Sequence, residues 1–368
     1  MLVVRGAVKE YDWGKVDGLV AWTGEATGRP QAELWFGAHP GGPSPLIDGS
    51  GVPTGELLAD HFDVDNIPIL VKLLAAARPL SVQVHPAAAT ARAMWQAQLD
   101  GSGRTVLTDP FEKTEMLVAL EPFEALAGWR APEQAAAILA MLPGCAAGAE
   151  AAAAGATDHA ITDLLAVPDA GAAVSALPGA VAGAGIAGPE AAAYARVAAL
   201  FPHDPGALLT ALLNYVALAP GEGIFVPAGV PHSYLSGTGL EVMTSSDNVL
   251  RLGLTAKDVF VEEALAALAP DRVPVLASAP SGAPIAPRGA PFSATMLRSG
   301  SLEIESGQYR IVLLIEGSAR VSTSLADVEL RMGTAAVLAA PDPSAHVTVD
   351  GLAAVVTAPV APFVGKAA

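Results

Sequence analysis

A glutamine and a histidine stand two residues apart in the stretch "PLSVQVHP", Pro79 to Pro86. Ser81, Gln83 and His85 share one parity; Leu80, Val82 and Val84 share the other, which is the period of a strand with one apolar face. That spacing aims Gln83 and His85 at one spot, where an imidazole and a neutral amide oxygen can hold a metal or be satisfied by hydrogen bonds alone. Lys113 and Glu115, in "DPFEKTEM", share a parity as another strand begins. They read either as a metal-binding carboxylate with a cation beside it or as a solvated pair. His232 follows a strand and a Pro/Gly turn, "FVPAGVPHSY". A rigid turn suits a ligand held in place, and it also suits a surface histidine. Leu250, Leu252 and Leu254 form an apolar parity from which Arg251 points away, to solvent at a sheet edge or into the cavity of a barrel.

Together these residues make a site of two imidazoles, one carboxylate and one neutral oxygen, with Lys72, Lys113 and Arg251 as cations. Nitrogen and oxygen donors without thiolate suit zinc, manganese or iron. A divalent cation balanced by one carboxylate leaves a net positive cavity, and the lysines and arginine deepen it. Such a cavity fits an anionic, hydroxyl-rich ligand.

The elements that must position these groups are mostly strands. Up to about Ala127 the chain reads as short strands and turns, such as Ile67–Leu74 and Thr114–Leu120, separated by Gly/Pro clusters. From about 125 to 216 it reads as a helical insertion. "APEQAAAILAML", "TDHAITDLLAV", "GPEAAAYARVAALF" and "DPGALLTALLNYVAL" have helix lengths, with Pro or Asp near their starts, and Ala/Gly-rich linkers join them. Strand character resumes at Gly223 and runs through Arg251. A short helix is expected at about 256–268, then a Pro/Ala/Ser linker, then further alternation. Evenly spaced short strands with glycine turns point to a β-sandwich or a barrel of the jelly-roll type.

Composition sets the outer bounds. The chain has 368 residues, 52% hydrophobic and 15% charged, enough to fold around a sizeable core. A net charge of −17 argues against nucleic-acid binding and against a polybasic membrane-surface role. One cysteine, Cys145, allows no intrachain disulfide and suits a reducing cytosol. The N-terminus lacks the apolar core of a signal peptide. The longest uncharged run, Ala170 to Gly188, is too weakly hydrophobic for a membrane span. A cytoplasmic protein is expected.

"YDWG" at Tyr11, "AELWFGAHPGGPS" from Ala32, "PLSVQVHP", "EKTEM" and "VPAGVPHSYLSGTGLEVMTSSDNVLRLGLTAKDV" together resemble the type I mannose-6-phosphate isomerases. The resemblance implies a mainly β fold of cupin-type jelly-roll barrels, catalytic and C-terminal, with an α-helical insertion. The expected division is 1–124 with 217–268 as catalytic domain, 125–216 as insertion, and 269–368 as C-terminal domain. It implies one zinc ion bound by Gln83, His85, Glu115 and His232, and interconversion of D-mannose 6-phosphate and D-fructose 6-phosphate through an enediol. Arg251, Glu241 and Lys113 are the catalytic candidates, with Ser81, Lys72 and Glu112 at the substrate. Glu112 stands where bacterial members commonly carry a histidine proposed to help open the sugar ring. A monomer acting on a small sugar phosphate is expected. Other readings retain a cupin but change its role: a metal-dependent oxygenase, another sugar-modifying enzyme, or a non-catalytic sugar-binding module. The oxygenase would leave Gln83 as an odd extra ligand and the basic residues without a purpose.

Overall fold

The computed structural model describes residues 1–62 and 68–359. Ile67, where one strand is expected to begin, and the last nine residues of the expected C-terminal domain lie outside the described residues. The alternating segments become two large antiparallel sheets. One runs, in spatial order, Val275–Ser278, Glu222–Val226, Glu115–Ala119, His232–Thr244, Ile69–Ala76, Glu33–Phe36 and Ala7–Lys9. Phe123–Trp129, Leu213–Leu218, Val82–Val84 and Leu250–Gly253 branch from it. The other sheet is built mainly from Ser293–Ile304, Tyr309–Thr323, Thr334–Leu338 and Ala345–Ala358. These are the two cupin-type barrels.

Parity decides what each barrel face buries. Met116, Val118, Leu240, Val242, Val71 and Leu73 point out of the first barrel and meet Ile311, Leu313, Val337 and Val356 of the second in one apolar cluster. Each fully buried side chain of this size contributes roughly 1.5–3 kcal/mol. Their neighbours of opposite parity, Glu115, Leu117, Glu241 and Lys72, face the first barrel's interior. Register brings these together: Glu241 lies opposite both Lys72 and Leu117, and Lys72 lies opposite Trp35. Residues directly opposite in an antiparallel pair present their side chains on one face.

Two short strands cross between the sheets. Leu2–Arg5 pairs with Thr334–Leu338 of the C-terminal sheet, and Val275–Ser278 pairs with Glu222–Val226 of the catalytic one. The helical region includes Pro132–Leu139, Thr157–Leu165 and Gly188–Leu200 where helices are expected. Three features differ from expectation. The alanine-rich linkers are themselves helices, Ala146–Ala153 and Ala170–Gly183, because alanine propensity and burial of Ala149, Val174 and Leu177 outweigh their glycines and Pro178. The last expected helix breaks after Leu209 and a short 3₁₀ turn, and Leu213–Leu218 is a strand paired with Phe123–Trp129. Pairing here overrides local helix propensity. Ala88–Leu99, within the region read as strands and turns, is a helix. The short helix near the end of the catalytic part spans Val261–Ala267. No helix among the described residues is long and apolar enough to cross a membrane.

Candidate metal centre

Three strands converge on one buried point. His85 follows Val82–Val84, Glu115 opens its strand, and His232 opens another. The turn that delivers His232 is tied to the other two. Gly229 N–H donates to the His85 carbonyl (2.8 Å), and Ala228 N–H donates to Thr114 Oγ1 (3.2 Å). Gly229 has φ +89° and a Cβ there would lie 2.5 Å from the Ala269 Cβ, so the turn admits only glycine.

His85 Nε2 lies 3.2 Å from Glu115 Oε2, and His232 Nε2 lies 3.1 Å from Glu115 Oε1. All three side chains are at most 1% exposed. His85 Nε2 and Glu115 Oε2 are buried without a hydrogen-bond partner. Each imidazole has its other nitrogen fixed, His85 Nδ1 against the Asn248 carbonyl (2.7 Å) and His232 Nδ1 against the Val230 carbonyl (2.9 Å). Those contacts leave both Nε2 atoms free to ligate, the usual arrangement for metal-bound histidine. Tetrahedral donors held at ~2.0–2.1 Å from zinc sit about 3.3 Å from one another. The donor spacing and the orphaned lone pairs therefore fit zinc. The Gln83 amide completes the ring, with its Nε2 3.2 Å from His232 Nε2 and its Oε1 accepting from the Ser81 hydroxyl (3.2 Å). Turning the amide over exchanges its oxygen and nitrogen and points an oxygen donor at the cluster.

The electrostatics favour a bound cation. Burial, then the Lys113 ammonium, pushes His85 down to about 3, so its imidazole is neutral. Burial works to raise Glu115, but Lys113, His232 and His85 hold it well below the ordinary carboxylate value. A neutral imidazole and an ionised carboxylate are the ligating forms. Lys113 Nζ stands 3.1 Å from Glu115 Oε2.

The cavity beside this cluster has a volume of about 730 Å³. On its wall Lys72 Nζ lies 2.9 Å from Glu241 Oε2, 3.8 Å from Glu33 Oε1 and 4.9 Å from the Trp35 ring centre. Trp35 Nε1 donates to Glu33 Oε2 (2.6 Å). Burial raises Glu241 above the ordinary carboxylate range; Lys72 opposes this and Glu115 adds to it. Burial opposes the charge on Lys72, but Glu241 and Glu33 more than offset it and raise its pKa. Arg251, Ser81, Gln83 and Lys113 also line the cavity.

Glu112 is the exception among the residues expected at the substrate, since Ser81 and Lys72 do line the cavity. It is not part of the cavity lining. Its Oε2 accepts from Ala88 N–H (3.2 Å) at the start of the helix Ala88–Leu99, an N-terminal carboxylate contact that satisfies a free helix donor. Leu80 also departs from its expected face: it packs with Trp13 and Tyr234 in the barrel interior, whereas Val82 and Val84 pack against the helices.

Several residues of the site lie in the quoted motifs but are not among the candidates the sequence reading singles out. Tyr234 O–H donates to Glu115 Oε1 (2.7 Å), and burial together with Glu115 raises its pKa well above the ordinary value. Its parity with His232, two residues earlier, was the available clue. Asn248 is wholly buried. It accepts from Thr108 N–H and donates to the Asp109 and Phe111 carbonyls, which fixes the loop whose own carbonyl orients His85. Tyr11, Glu33, Trp35 and Asp247 line the cavity as well.

A cupin-type barrel with a buried His–Glu–His cluster at the head of a charged cavity defines a metal-dependent cupin. Residues 1–132 match the family model for the catalytic domain of phosphomannose isomerase type I. Mannose-6-phosphate isomerase of Salmonella typhimurium is 30% identical over 370 aligned positions, 91% of this chain and 94% of that protein. The Escherichia coli K12 enzyme of the same name is 29% identical over 94% of this chain and 96% of its own. Among solved structures, an arginine-to-alanine variant of phosphomannose isomerase from Salmonella typhimurium superposes with a TM-score of 0.82 at 27% identity, covering 97% of this chain and 99% of that one. Mannose 6-phosphate isomerase bound with zinc and yttrium gives 0.79 at 27%, covering 98% and 99%. The chain belongs to the type I mannose-6-phosphate isomerase family.

Proposed function

We propose that this protein is a zinc-dependent aldose–ketose isomerase that interconverts D-mannose 6-phosphate and D-fructose 6-phosphate. The observation that carries the reading is the convergence of His85, Glu115 and His232, with His85 Nε2 and Glu115 Oε2 buried and unpartnered, beside a cavity that also holds the buried Glu241 carboxylate. Gln83, His85, Glu115 and His232 would hold the zinc, which supplies Lewis-acid polarisation of the sugar's oxygens when bound.

The chain's own residues supply the proton chemistry. Glu241 takes the C2 proton of the open-chain aldose and, after that proton exchanges with solvent, protonates C1 of the enediol. Its raised pKa brings it nearer to neutrality, where a general base works best. Lys72, held between Glu33 and Glu241, fixes the carboxylate's position. Arg251 lines the cavity without a carboxylate ion pair among the described residues and stabilises the charge that develops on the sugar oxygen. Lys113 keeps Glu115 ionised and is the second candidate for the proton transfer. Ser81 orients the Gln83 amide and stands at the substrate. Glu112, tied to the helix Ala88–Leu99, is left without a part in ring opening.

All the catalytic and metal candidates fall in residues 1–124 and 217–268, which this reading takes as the catalytic domain, with 125–216 as insertion and 269–368 as C-terminal domain. The reading extends to a monomer working in the cytoplasm, where a reducing milieu suits its one buried cysteine. The test is isomerisation of mannose 6-phosphate in deuterium oxide. Fructose 6-phosphate labelled at C1 is the expected product, and no conversion by metal-replete protein refutes the assignment.

A further inference from the structure

Leu254 follows the strand that carries Arg251 and sits in the left-handed backbone region, at φ +56°. A leucine has no polar side chain to offset the crowding of its Cβ there, as asparagine or aspartate would. The conformation is held from outside. Leu254 N–H donates to Asp204 Oδ2 at 2.6 Å, and Gly206 N–H donates to Asp204 Oδ1 at 2.8 Å. Asp204 lies just past the helix Gly188–Leu200, 50 residues before Leu254 in the chain. Both of its carboxylate oxygens are therefore engaged by backbone N–H groups, and such charge-assisted bonds are the short, strong kind. The Leu254 side chain is buried in the cluster formed by the helices.

The two segments also touch backbone to backbone. A Cβ on Gly206 would overlap the Gly253 Cα, and a Cβ on Gly253 would overlap the Gly206 Cα, so the approach needs glycine on both sides. The contact falls on an irregularity in the strand. Arg251 lies opposite Gln83 and Gly253 opposite Val82, which makes Leu252 the extra residue of a β-bulge. A bulge bends its strand and re-aims the side chains beside it. Here the neighbouring side chain is Arg251, which lines the cavity together with Asp204, Leu254, Thr255 and Lys257. With no ion pair among the described residues to hold its guanidinium, Arg251 takes its place from the backbone.

We infer that Asp204 is a positioning residue for Arg251: it clamps Leu254 behind the bulge and so fixes where the guanidinium meets the developing charge. This rests on the isomerase reading above and extends it, because Asp204 acts through the backbone and not on the sugar. The turn after the helix Gly188–Leu200 thereby becomes part of the frame of the active site.

The experiment measures kcat, KM for mannose 6-phosphate and zinc per chain in native protein, Asp204→Ala, Arg251→Ala and the double variant. Asp204→Ala is expected to lower kcat about 10–100-fold, the scale of a displacement near 1 Å at a reacting centre. KM and zinc content stay close to native. In the Arg251→Ala background the same substitution changes kcat by less than about twofold, because the group it positions is gone. A purely structural residue lowers kcat alike in both backgrounds, so equal falls overturn the inference, as does native kcat in folded Asp204→Ala. Asp204→Asn keeps the shape and one acceptor oxygen and shows a smaller fall. Its cycle with Arg251→Ala decides the matter if the alanine variant does not fold. Native protein that fails to convert mannose 6-phosphate refutes the isomerase reading instead. Hydrogen exchange at the Leu254 amide then still reads the clamp. Exchange at least about tenfold faster in Asp204→Ala than in native protein supports it, and equal rates overturn it.

Discussion

Replacing Tyr234 by phenylalanine isolates one hydroxyl behind the metal cluster. That hydroxyl donates to Glu115 Oε1 at 2.7 Å in a fully buried setting. The ring packs edge-on against Phe123, with centres 5.5 Å apart at 80°, and phenylalanine retains that contact. The loss is thus confined to one hydrogen bond to an ionised carboxylate, worth about 1.5–3 kcal/mol. That hydrogen bond orients the carboxylate for a metal, and removing an outer hydrogen bond to a metal ligand typically weakens metal affinity 10–100-fold. At 1.4 kcal/mol per decade the two figures agree, so the zinc dissociation constant should rise by one to two orders of magnitude. Competition with a chromophoric chelator reads this directly, independently of turnover. An unchanged zinc affinity in a folded Tyr234→Phe protein would refute the argument that Glu115 is a ligand held by Tyr234.

Glu241→Gln should lower kcat by roughly 10²–10⁴-fold with zinc content unchanged, as expected for loss of a general base; wild-type kcat would exclude Glu241. Burial, with Glu115 adding to it against Lys72, holds Glu241 above its ordinary 4.5. The base must be ionised, so wild-type kcat should be retained at high pH and fall with decreasing pH through a value above 4.5. An acid limb at or below 4.5 contradicts the assignment. Arg251→Ala should reduce kcat by about 10²–10³-fold while binding zinc normally, the scale of one lost oxyanion donor; comparison of kcat with metal content checks it. Burial lowers His39 from its ordinary 6.5, and Asp247 opposes this only in part. A depressed histidine favours the neutral folded state, so its contribution is present above pH 6.5 and lost as pH falls. His39→Asn should flatten the fall in melting temperature between about pH 7 and 5, and an unchanged slope would remove His39 as a source of it.

Much of the site was legible because strand parity leaves a direct trace in sequence. Gln83 and His85 fall on one face, and the apolar Leu250–Leu252–Leu254 row does pack against the helices with Arg251 opposed to it. Neither pair locates a metal site alone; the family resemblance joined segments that lie far apart in the chain. Other features depend on long-range packing that no local pattern records. Leu213–Leu218 reads as the end of a helix but has the Phe123–Trp129 edge to pair with. Glu112 sits one residue from Lys113 yet turns toward Ala88, because a helix begins there with free N–H groups. The pairing of Lys72 with Glu241 and Glu33 follows from sheet register, which places Glu33, Lys72 and Glu241 on adjacent strands although they are far apart in sequence.

The most direct test of the account is a metal titration. Protein stripped by a chelator is titrated with zinc while conversion of mannose 6-phosphate to fructose 6-phosphate is followed in a coupled assay. Activity is expected to be absent without metal, to rise linearly, and to saturate at one zinc per chain, with the Glu115→Gln protein neither binding nor responding. Full activity in metal-free protein, or full zinc binding by the Glu115→Gln variant, would contradict it.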